Sequence, residues 1–152
     1  MAVGTNRPFH ELAGALLVAA ALRRLDGDGL KPVAVSACRE TVAWPDPSDP
    51  PYTNAVAVLH APGFDAQGVL AVLLRTEAAF GRVRSVRNAP RTLDLDLLDF
   101  EGRVVAESGL TLPHPRLQDR AFVLEPLMEI LPDWRHPVTG KTAKEMWAAL
   151  ND

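Results

Sequence analysis

A strict alternation of leucine and aspartate constrains this chain more than any other feature of its sequence. Leu93, Leu95 and Leu97 alternate with Asp94 and Asp96. Because successive side chains of a strand point to opposite faces, this pattern predicts a strand with one apolar and one acidic face. Strands are depleted in aspartate, and two carboxylates about 7 Å apart repel each other unless a cation lies between them. The alternative is that both aspartates lie on the solvated outer face of an edge strand.

The rest of the chain predicts an alternation of strands and helices. The predicted strands are 1–5, 32–42, 54–60 and 92–100, and the predicted helices run from Pro8 to Gly27 and, capped by Asp65, to Phe80. The elements therefore follow the order β-α-β-β-α-β. That order predicts an α+β fold of the ferredoxin-like split βαβ kind, with an antiparallel sheet and helices on one face. The other face is then open for a ligand. A short strand at 104–105 and a C-terminal helical extension near 119–130 and 142–150 complete the prediction.

Composition limits the class of protein. The chain has 152 residues and a net charge of −3, and we expect one domain over 1–152. The single cysteine, Cys38, excludes an internal disulfide framework and a cysteine-based zinc site. The charge disfavours a basic nucleic-acid binder, and the longest apolar run, 13–22, is too short to span a bilayer. We expect a cytoplasmic protein that binds neither nucleic acid nor membrane.

An arginine cluster directly precedes the acidic strand. It contains Arg82, Arg84, Arg87 and Arg91. Mg²⁺ prefers one or two carboxylates together with substrate phosphates, and arginines bind phosphate oxygens. Phosphoryl transfer needs groups that bind a metal and groups that bind phosphates, and the aspartates and arginines could fill these two roles. The alternative is that the arginines belong to a solvated loop. No Gly-rich loop of the Walker type occurs in the sequence.

A second polar segment runs from Leu112 to Phe122. His114 lies between two prolines, and Arg116 and Arg120 follow it. A rigid loop that presents histidine and arginine is typical of an anion site. The alternative is a turn in which His114 only caps a neighbouring backbone group.

These segments together resemble one known family. The matching stretches are Pro90 to Leu98, Leu112 to Pro115, Arg120 to Leu127, Glu77 with Gly81 to Arg84, and Gly4 to Asn6. They resemble the 6-hydroxymethyl-7,8-dihydropterin pyrophosphokinases of folate biosynthesis, whose fold is the split βαβ arrangement. The resemblance implies transfer of the diphosphate of ATP to the pterin hydroxymethyl group, with release of AMP. It covers nearly the whole chain.

The resemblance also implies roles for individual residues. Asp94 and Asp96 would bind two Mg²⁺ ions, and the other residues implied to be catalytic are Arg82, Arg84, Arg91 and His114. The residues implied to bind ATP are Glu77, Arg82, Arg84, Arg87, Arg91, Leu97, Thr111, His114 and Arg120. Of these, Glu77, Leu97 and Thr111 would lie near the nucleoside, and the arginines and His114 near the phosphates.

The pterin ring needs aromatic faces and an amide that both donates and accepts hydrogen bonds. Tyr52 and Phe122 are the stacking candidates, and Asn54 is the candidate for reading the ring edge. The remaining residues implied to contact the pterin are Thr41, Val42 and Trp44.

The sequence departs from the family pattern in the arginine loop. Asn88 stands where the family usually has tryptophan and Ala89 where it has glycine, which predicts weaker nucleotide binding. The strand before Gly4 is also shorter than usual. An inactive or altered-specificity paralogue is therefore the main rival. A metal-dependent nucleotidyl transferase on a palm-like sheet and a non-catalytic RNA- or ligand-binding module are weaker rivals. We expect a monomer.

Overall fold

The computed structural model of the chain describes residues 1–83 and 92–152. It is a mixed fold of antiparallel strands and helices, which confirms the predicted α+β class. The strands are β1 Ala2–Thr5, β2 Lys31–Val35, β3 Arg39–Thr41, β4 Tyr52–His60, β5 Asp94–Asp96, β6 Val105–Glu107 and β7 Leu110–Leu112. The helices are α1 Gly14–Gly27, α2 Ala66–Ala79, α3 Ala121–Ile130 and α4 Ala143–Leu150.

The main sheet has the strand order β2-β4-β1-β5, and β3 pairs with the same long strand β4. All of these pairs are antiparallel. The short strand β1 is central, because Gly4 lies opposite Asn54 of β4 on one side and Asp94 of β5 on the other. Three strands therefore bring an amide, a glycine and a carboxylate side by side. The strands β6 and β7 form a separate hairpin.

Helices α1 and α2 cover one face of the sheet. Val3 and Leu95 from the sheet pack there against Leu25 of α1 and Leu73 of α2, all of them buried. The predicted cap of α2 is confirmed, since the Asp65 side chain accepts a hydrogen bond of 2.8 Å from the Gly68 amide. This apolar layer is the larger core of the molecule.

The first helix begins later than predicted. Residues 6–13 form a loop in which Phe9 and Leu12 bridge each other, and α1 starts at Gly14, whose φ of +54° favours glycine. The predicted helix from Pro8 to Gly27 was therefore wrong at its N-terminal end. Leu16 is 67% exposed, whereas its neighbour Leu17 is fully buried. The loop folds back on itself because its backbone hydrogen bonds join Phe9 to Leu12 instead of continuing a helix.

Helices α3 and α4 pack on the opposite face and cover part of it. Leu124, Leu127 and Met146 meet Val56 of β4 there in a second buried cluster. A capping box between Thr142 and Glu145 begins α4. The C-terminal helical extension is confirmed, and it narrows the expected open face to the region around β3, the end of β4 and β5.

The strand bounds also differ from the prediction. The predicted strand 32–42 is two strands, β2 and β3, because the chain leaves β4 near Ser36 and rejoins it at Arg39. The Ser36 hydroxyl accepts a hydrogen bond from the Val56 amide at this break. The predicted strand 92–100 pairs with β1 only over Asp94–Asp96. In the described parts of the chain, no helix is long and apolar enough to cross a membrane.

Candidate active site

The two aspartates of β5 line one cavity on the partly open face of the sheet. This cavity has a volume of about 360 Å³. Asp94 and Asp96 are both half-buried in it, whereas Leu95 between them is only 4% exposed and lies in the opposite core. The predicted division of this strand into an apolar and an acidic face is confirmed. The antiparallel pairing with β1 holds both carboxylates in place from the backbone.

The environment of Asp96 favours its protonated form. Burial, and secondly the neighbouring Asp94, raise the pKa of Asp96 to about 6, although Arg120 opposes the shift. The Arg120 guanidinium lies 3.5 Å from the Asp96 carboxylate, at the limit of a hydrogen bond. A divalent cation between the aspartates would relieve this repulsion, and two carboxylate groups are the donor set that Mg²⁺ accepts.

Arg82 connects the cavity to the core. Its guanidinium donates a hydrogen bond of 2.6 Å to Asp94 and another to Glu77. Glu77 is only 2% exposed, and it also accepts a hydrogen bond of 2.8 Å from the Leu95 amide. A buried carboxylate is stable only when it is paired and hydrogen-bonded, so this arrangement fixes both Arg82 and β5. Glu77 acts here as a positioning residue.

The surroundings of His114 orient its ring and favour the neutral imidazole. Its amide donates to Leu98, and its Nδ1 accepts a hydrogen bond of 3.1 Å from the Arg116 amide. Burial, and secondly Arg120, lower the pKa of the imidazole, while Asp94 opposes the shift. Because Nδ1 accepts, the ring proton of the neutral form lies on Nε2, which is then a donor.

The other wall of the cavity carries aromatic and amide groups. All six residues predicted to contact a pterin line it: Thr41, Val42, Trp44, Tyr52, Asn54 and Phe122. They come from β3, the proline-rich loop after it, β4 and α3. The Asn6 side chain donates to the Pro50 carbonyl at 3.1 Å and ties that loop to the end of β1.

Asn54 has a defined orientation. Its side-chain nitrogen donates a hydrogen bond of 2.8 Å to the Thr41 hydroxyl. A Cβ atom on Gly4 would lie 2.8 Å from the Asn54 side-chain oxygen, closer than real Cβ contacts. Glycine at this position therefore leaves the room that the Asn54 amide occupies.

The aromatic groups lie at the rim. Trp44 is 70% exposed, and Phe122 is on the surface with the Arg120 guanidinium carbon 5.5 Å from its ring centroid. This distance is within the range of a cation–π contact. The cavity thus has an aromatic wall beside a carboxylate and arginine wall.

The comparison with protein families agrees with this geometry. The family model of the 7,8-dihydro-6-hydroxymethylpterin-pyrophosphokinases matches residues 1–132. The chain belongs to this family.

Individual relatives agree with the assignment. A 2-amino-4-hydroxy-6-hydroxymethyldihydropteridine pyrophosphokinase of Methylorubrum extorquens is 41% identical over 123 residues, which are 81% of this chain and 76% of the relative. The enzyme of the same name from a Synechocystis species is 45% identical over 96 residues, 63% of this chain. That match spans 49%, about half, of the relative's own length. The folic acid synthesis protein fol1 of Pneumocystis carinii is 32% identical over 87% of this chain and 18% of its own length.

Two further residues line the cavity, and the sequence analysis assigned neither of them an individual role. Arg116 and Asp119 line it together with Arg120. A single turn of 3-10 helix, Leu117–Asp119, buries Leu117 and turns these polar side chains to the cavity. The spacing Arg-x-x-Asp-Arg after His114 was the signal in the sequence that pointed to them.

Several residues expected near the nucleotide do not line this cavity. Glu77 is buried behind Arg82, and Leu97 belongs to the core under α1 and α2. Thr111 is exposed on the hairpin strand β7, opposite Ala106. Their side chains contribute to the core or the hairpin instead. The predicted roles of Arg84, Arg87 and Arg91, and the effects of Asn88 and Ala89, fall on residues outside those described.

Proposed function

We propose that this chain transfers the diphosphate of ATP to the hydroxymethyl group of 6-hydroxymethyl-7,8-dihydropterin and releases AMP. The observation that carries the proposal is one cavity in which aspartates and arginines, among them Asp94, Asp96 and Arg120, face an aromatic and amide wall. Membership of the family and the names of the relatives support it. No observation favours an inactive or altered-specificity paralogue over this activity.

The reaction is a displacement at the β-phosphorus of ATP. The substrate hydroxyl oxygen forms a bond to that phosphorus, and the bond from the phosphorus to the oxygen bridging the α- and β-phosphates breaks. AMP leaves with the electron pair of the broken bond, and the hydroxyl proton is released. The protein has little covalent work to do in such a step, so positioning and charge stabilisation dominate.

The residues present fit Mg²⁺ as the metal of this reaction. We propose that Asp94 and Asp96 hold two Mg²⁺ ions together with ATP. Two carboxylates leave the remaining ligand positions of each Mg²⁺ ion to substrate phosphates and water. When bound, the metal neutralises phosphate charge and lowers the pKa of an oxygen attached to it.

The side chains around this pair bind and orient the phosphates. Arg120 and Arg116 lie at the cavity wall, where a guanidinium fork matches phosphate oxygens. His114 donates from Nε2 as a neutral group and adds no charge. Arg82 is held by Glu77 beside Asp94, so it neutralises one carboxylate before substrates arrive. Roles for Arg84, Arg87 and Arg91 on the phosphates remain predictions.

The pterin binds against the opposite wall. Tyr52 and Phe122 supply aromatic faces, and Asn54 reads the ring edge with the orientation that Thr41 imposes. Val42 and Trp44 at the rim exclude water once the ring is bound, because both side chains are now exposed and gain contacts by covering it.

We also propose that the sheet has the ferredoxin-like split βαβ topology. The strand order β2-β4-β1-β5 supports it, with β3 as an addition at one end of β4. A single domain, a monomeric state, a cytoplasmic location and the absence of nucleic-acid binding remain predictions from the sequence.

Product analysis tests the proposed activity. The protein is incubated with Mg²⁺, ATP and 6-hydroxymethyl-7,8-dihydropterin, and nucleotides and pterins are separated and quantified. We expect AMP and pterin diphosphate in equal amounts. ADP would indicate attack at the γ-phosphorus and overturn the assignment. Binding of ATP or pterin in calorimetry without turnover would instead support the paralogue.

A further inference from the structure

A carboxylate at the C-terminal end of α3 holds the chain between β2 and β3. One oxygen of Glu129 accepts a hydrogen bond of 2.7 Å from the Ala37 amide, and the other accepts one of 2.8 Å from the Arg39 guanidinium, 90 positions away in the chain. The hydrogen bond from the Ala37 amide, with a smaller effect of Arg39, lowers the pKa of Glu129, although desolvation opposes the shift. Both oxygens of this charged side chain therefore bind the point where the chain enters β3.

The strand that this carboxylate holds is short. It has three residues, and within the described ranges it pairs only with β4. Thr41, its last residue, is the one whose hydroxyl accepts the hydrogen bond from the Asn54 side chain. Because so short a strand has few hydrogen bonds of its own, the contact between Glu129 and its first residue also affects where Thr41 lies.

The register of β3 places Arg39 beside the amide of the cavity wall. Arg39 lies directly opposite Asn54, and Thr41 lies opposite Tyr52. Residues directly opposite each other in an antiparallel pair share one face of the sheet, with Cβ atoms roughly 4.5–5.5 Å apart. Asn54 therefore has two polar neighbours on the cavity face, a hydroxyl from Thr41 and a guanidinium from Arg39.

This guanidinium has a donor to spare. Its Nη2 binds Glu129, while its Nη1 is buried and has no partner in the structure as described. An arginine side chain has only donors, whereas the Asn54 side chain has an acceptor oxygen beside its donor nitrogen. A guanidinium released from Glu129 would compete for that oxygen, which is the half of the amide that accepts from the N–H groups of a bound ring.

We propose that Glu129 is the positioning residue of Asn54 and thereby of the pterin. It holds Arg39 away from the Asn54 oxygen and, through the Ala37 amide, keeps β3 where Thr41 binds the Asn54 nitrogen. Neither Glu129 nor Arg39 is among the residues that form the cavity wall, so their effect reaches the substrate through Asn54. The inference rests on the proposed function, because it takes the pterin as the ring that Asn54 reads.

Steady-state kinetics of Glu129→Ala and of the double variant with Arg39→Ala test this role. In the single variant we expect the KM for the pterin to rise about tenfold, with kcat and the KM for ATP unchanged within about twofold. The double variant regains at least about threefold of that loss, because no guanidinium then competes for Asn54. Glu125→Gln is the matched control with parent kinetics, since Glu125 lies one turn before Glu129 and binds the Trp147 ring instead.

Nuclear magnetic resonance of the free protein gives a readout that needs no turnover. The side-chain NH₂ signals of Asn54 are expected to shift in Glu129→Ala and to move back towards their parent positions in the double variant. They stay in place in Glu125→Gln. If these signals behave so while the parent forms no pterin diphosphate, the proposed activity fails and the positioning of Asn54 by Glu129 stands.

A contact that only stabilises the fold predicts other results. A pterin KM that is unchanged in Glu129→Ala, or higher still in the double variant, overturns the proposal. An equal rise in the KM for ATP or unmoved Asn54 signals in Glu129→Ala overturn it as well. Both side chains are 36% exposed, so neither substitution leaves a buried charge, and both variants are expected to fold. Kinetics measured below the thermal transition of each variant report on the folded protein.

Discussion

The two faces of β5 differ in what they do for the protein. Leu95 packs against the helices, while Asp94 and Asp96, its direct neighbours, line the cavity on the other side. The leucine face lowers the free energy of the folded state by removing apolar surface from water. The aspartate face keeps two like charges close together, which raises the free energy of the folded state. One strand therefore stabilises the fold on one side and carries a repulsion on the other, which the proposed Mg²⁺ ions would relieve.

The largest expected effect comes from removing charge on the acidic face. Asp96→Asn keeps the shape of the side chain and removes a carboxylate from the pair. We expect AMP formation to fall by roughly 10³-fold or more, because a metal site with one carboxylate no longer holds the phosphates in place. Circular dichroism is expected to show an unchanged fold. Asp26→Asn on the exposed side of α1 is the matched control and retains full turnover. Turnover retained by Asp96→Asn would remove the metal assignment.

Truncation on the apolar face is expected to affect stability more than turnover. Leu95→Ala is expected to lower the free energy of unfolding by about 2–5 kcal/mol, as buried leucine truncations do. Turnover per folded molecule falls far less than in Asp96→Asn. Urea unfolding measures the loss of stability. AMP release, measured at urea concentrations below the unfolding transition, gives the turnover of the folded protein. Leu16→Ala, at a side chain that is 67% exposed, changes stability by less than about 0.5 kcal/mol. Similar losses for both leucines would contradict the burial described.

The repulsion on the acidic face predicts a pH dependence of stability without metal. The pKa of Asp96 in the fold is raised to about 6, so the folded state holds its proton more tightly than the unfolded state. This contribution to stability is complete below the unfolded pKa of about 3.9 and is lost as the pH rises through about 6. Since the side chain is 31% exposed, we expect a loss of about 1–2 kcal/mol relative to Asp96→Asn.

Thermal unfolding in EDTA at pH 4.5 and pH 7.5, for the parent and Asp96→Asn, measures this loss. The parent is expected to lose more stability than the variant over that interval. Saturating Mg²⁺ with ATP restores the parent at pH 7.5 by mass action. Parallel pH profiles for the two proteins would show that Asp96 does not carry the repulsion.

The smallest expected effect concerns substrate binding across the cavity. Gly4→Ala places a Cβ atom 2.8 Å from the Asn54 oxygen and displaces the amide that we propose reads the pterin edge. We expect the KM for the pterin to rise about tenfold, with the KM for ATP unchanged. Steady-state kinetics with each substrate varied in turn separate the two. Gly27→Ala, where no atom lies within 4 Å of the added carbon, is the control. An equal rise in both KM values would indicate general damage to β1.

Local sequence patterns predicted an element correctly wherever the interactions that form the element are also local in sequence. The Asp65 cap, the body of α2 and the two faces of β5 follow from spacing alone and are confirmed. The start of α1 was not predicted correctly. Residues Pro8 to Ala13 have helical spacing, but their backbone forms a bridge between Phe9 and Leu12 instead. The split of β2 from β3 was also missed. It depends on how each segment pairs with β4, which is distant in sequence.

The candidate site divides in the same way. The sequence by itself determined the candidate residues for the chemistry: an Asp-x-Asp strand, arginines, a proline-flanked histidine, and a tyrosine near an asparagine, because residue type and spacing are local properties. The tertiary structure alone decided that Asn54, Gly4 and Asp94 lie side by side, since the register of β1 with both neighbours sets that. It also decided that Glu77 lies behind Arg82 and away from the cavity, and that Arg116 lines it. Those positions depend on packing between segments that are distant in sequence. In such packing, burial of one side chain fixes where the neighbouring side chain points.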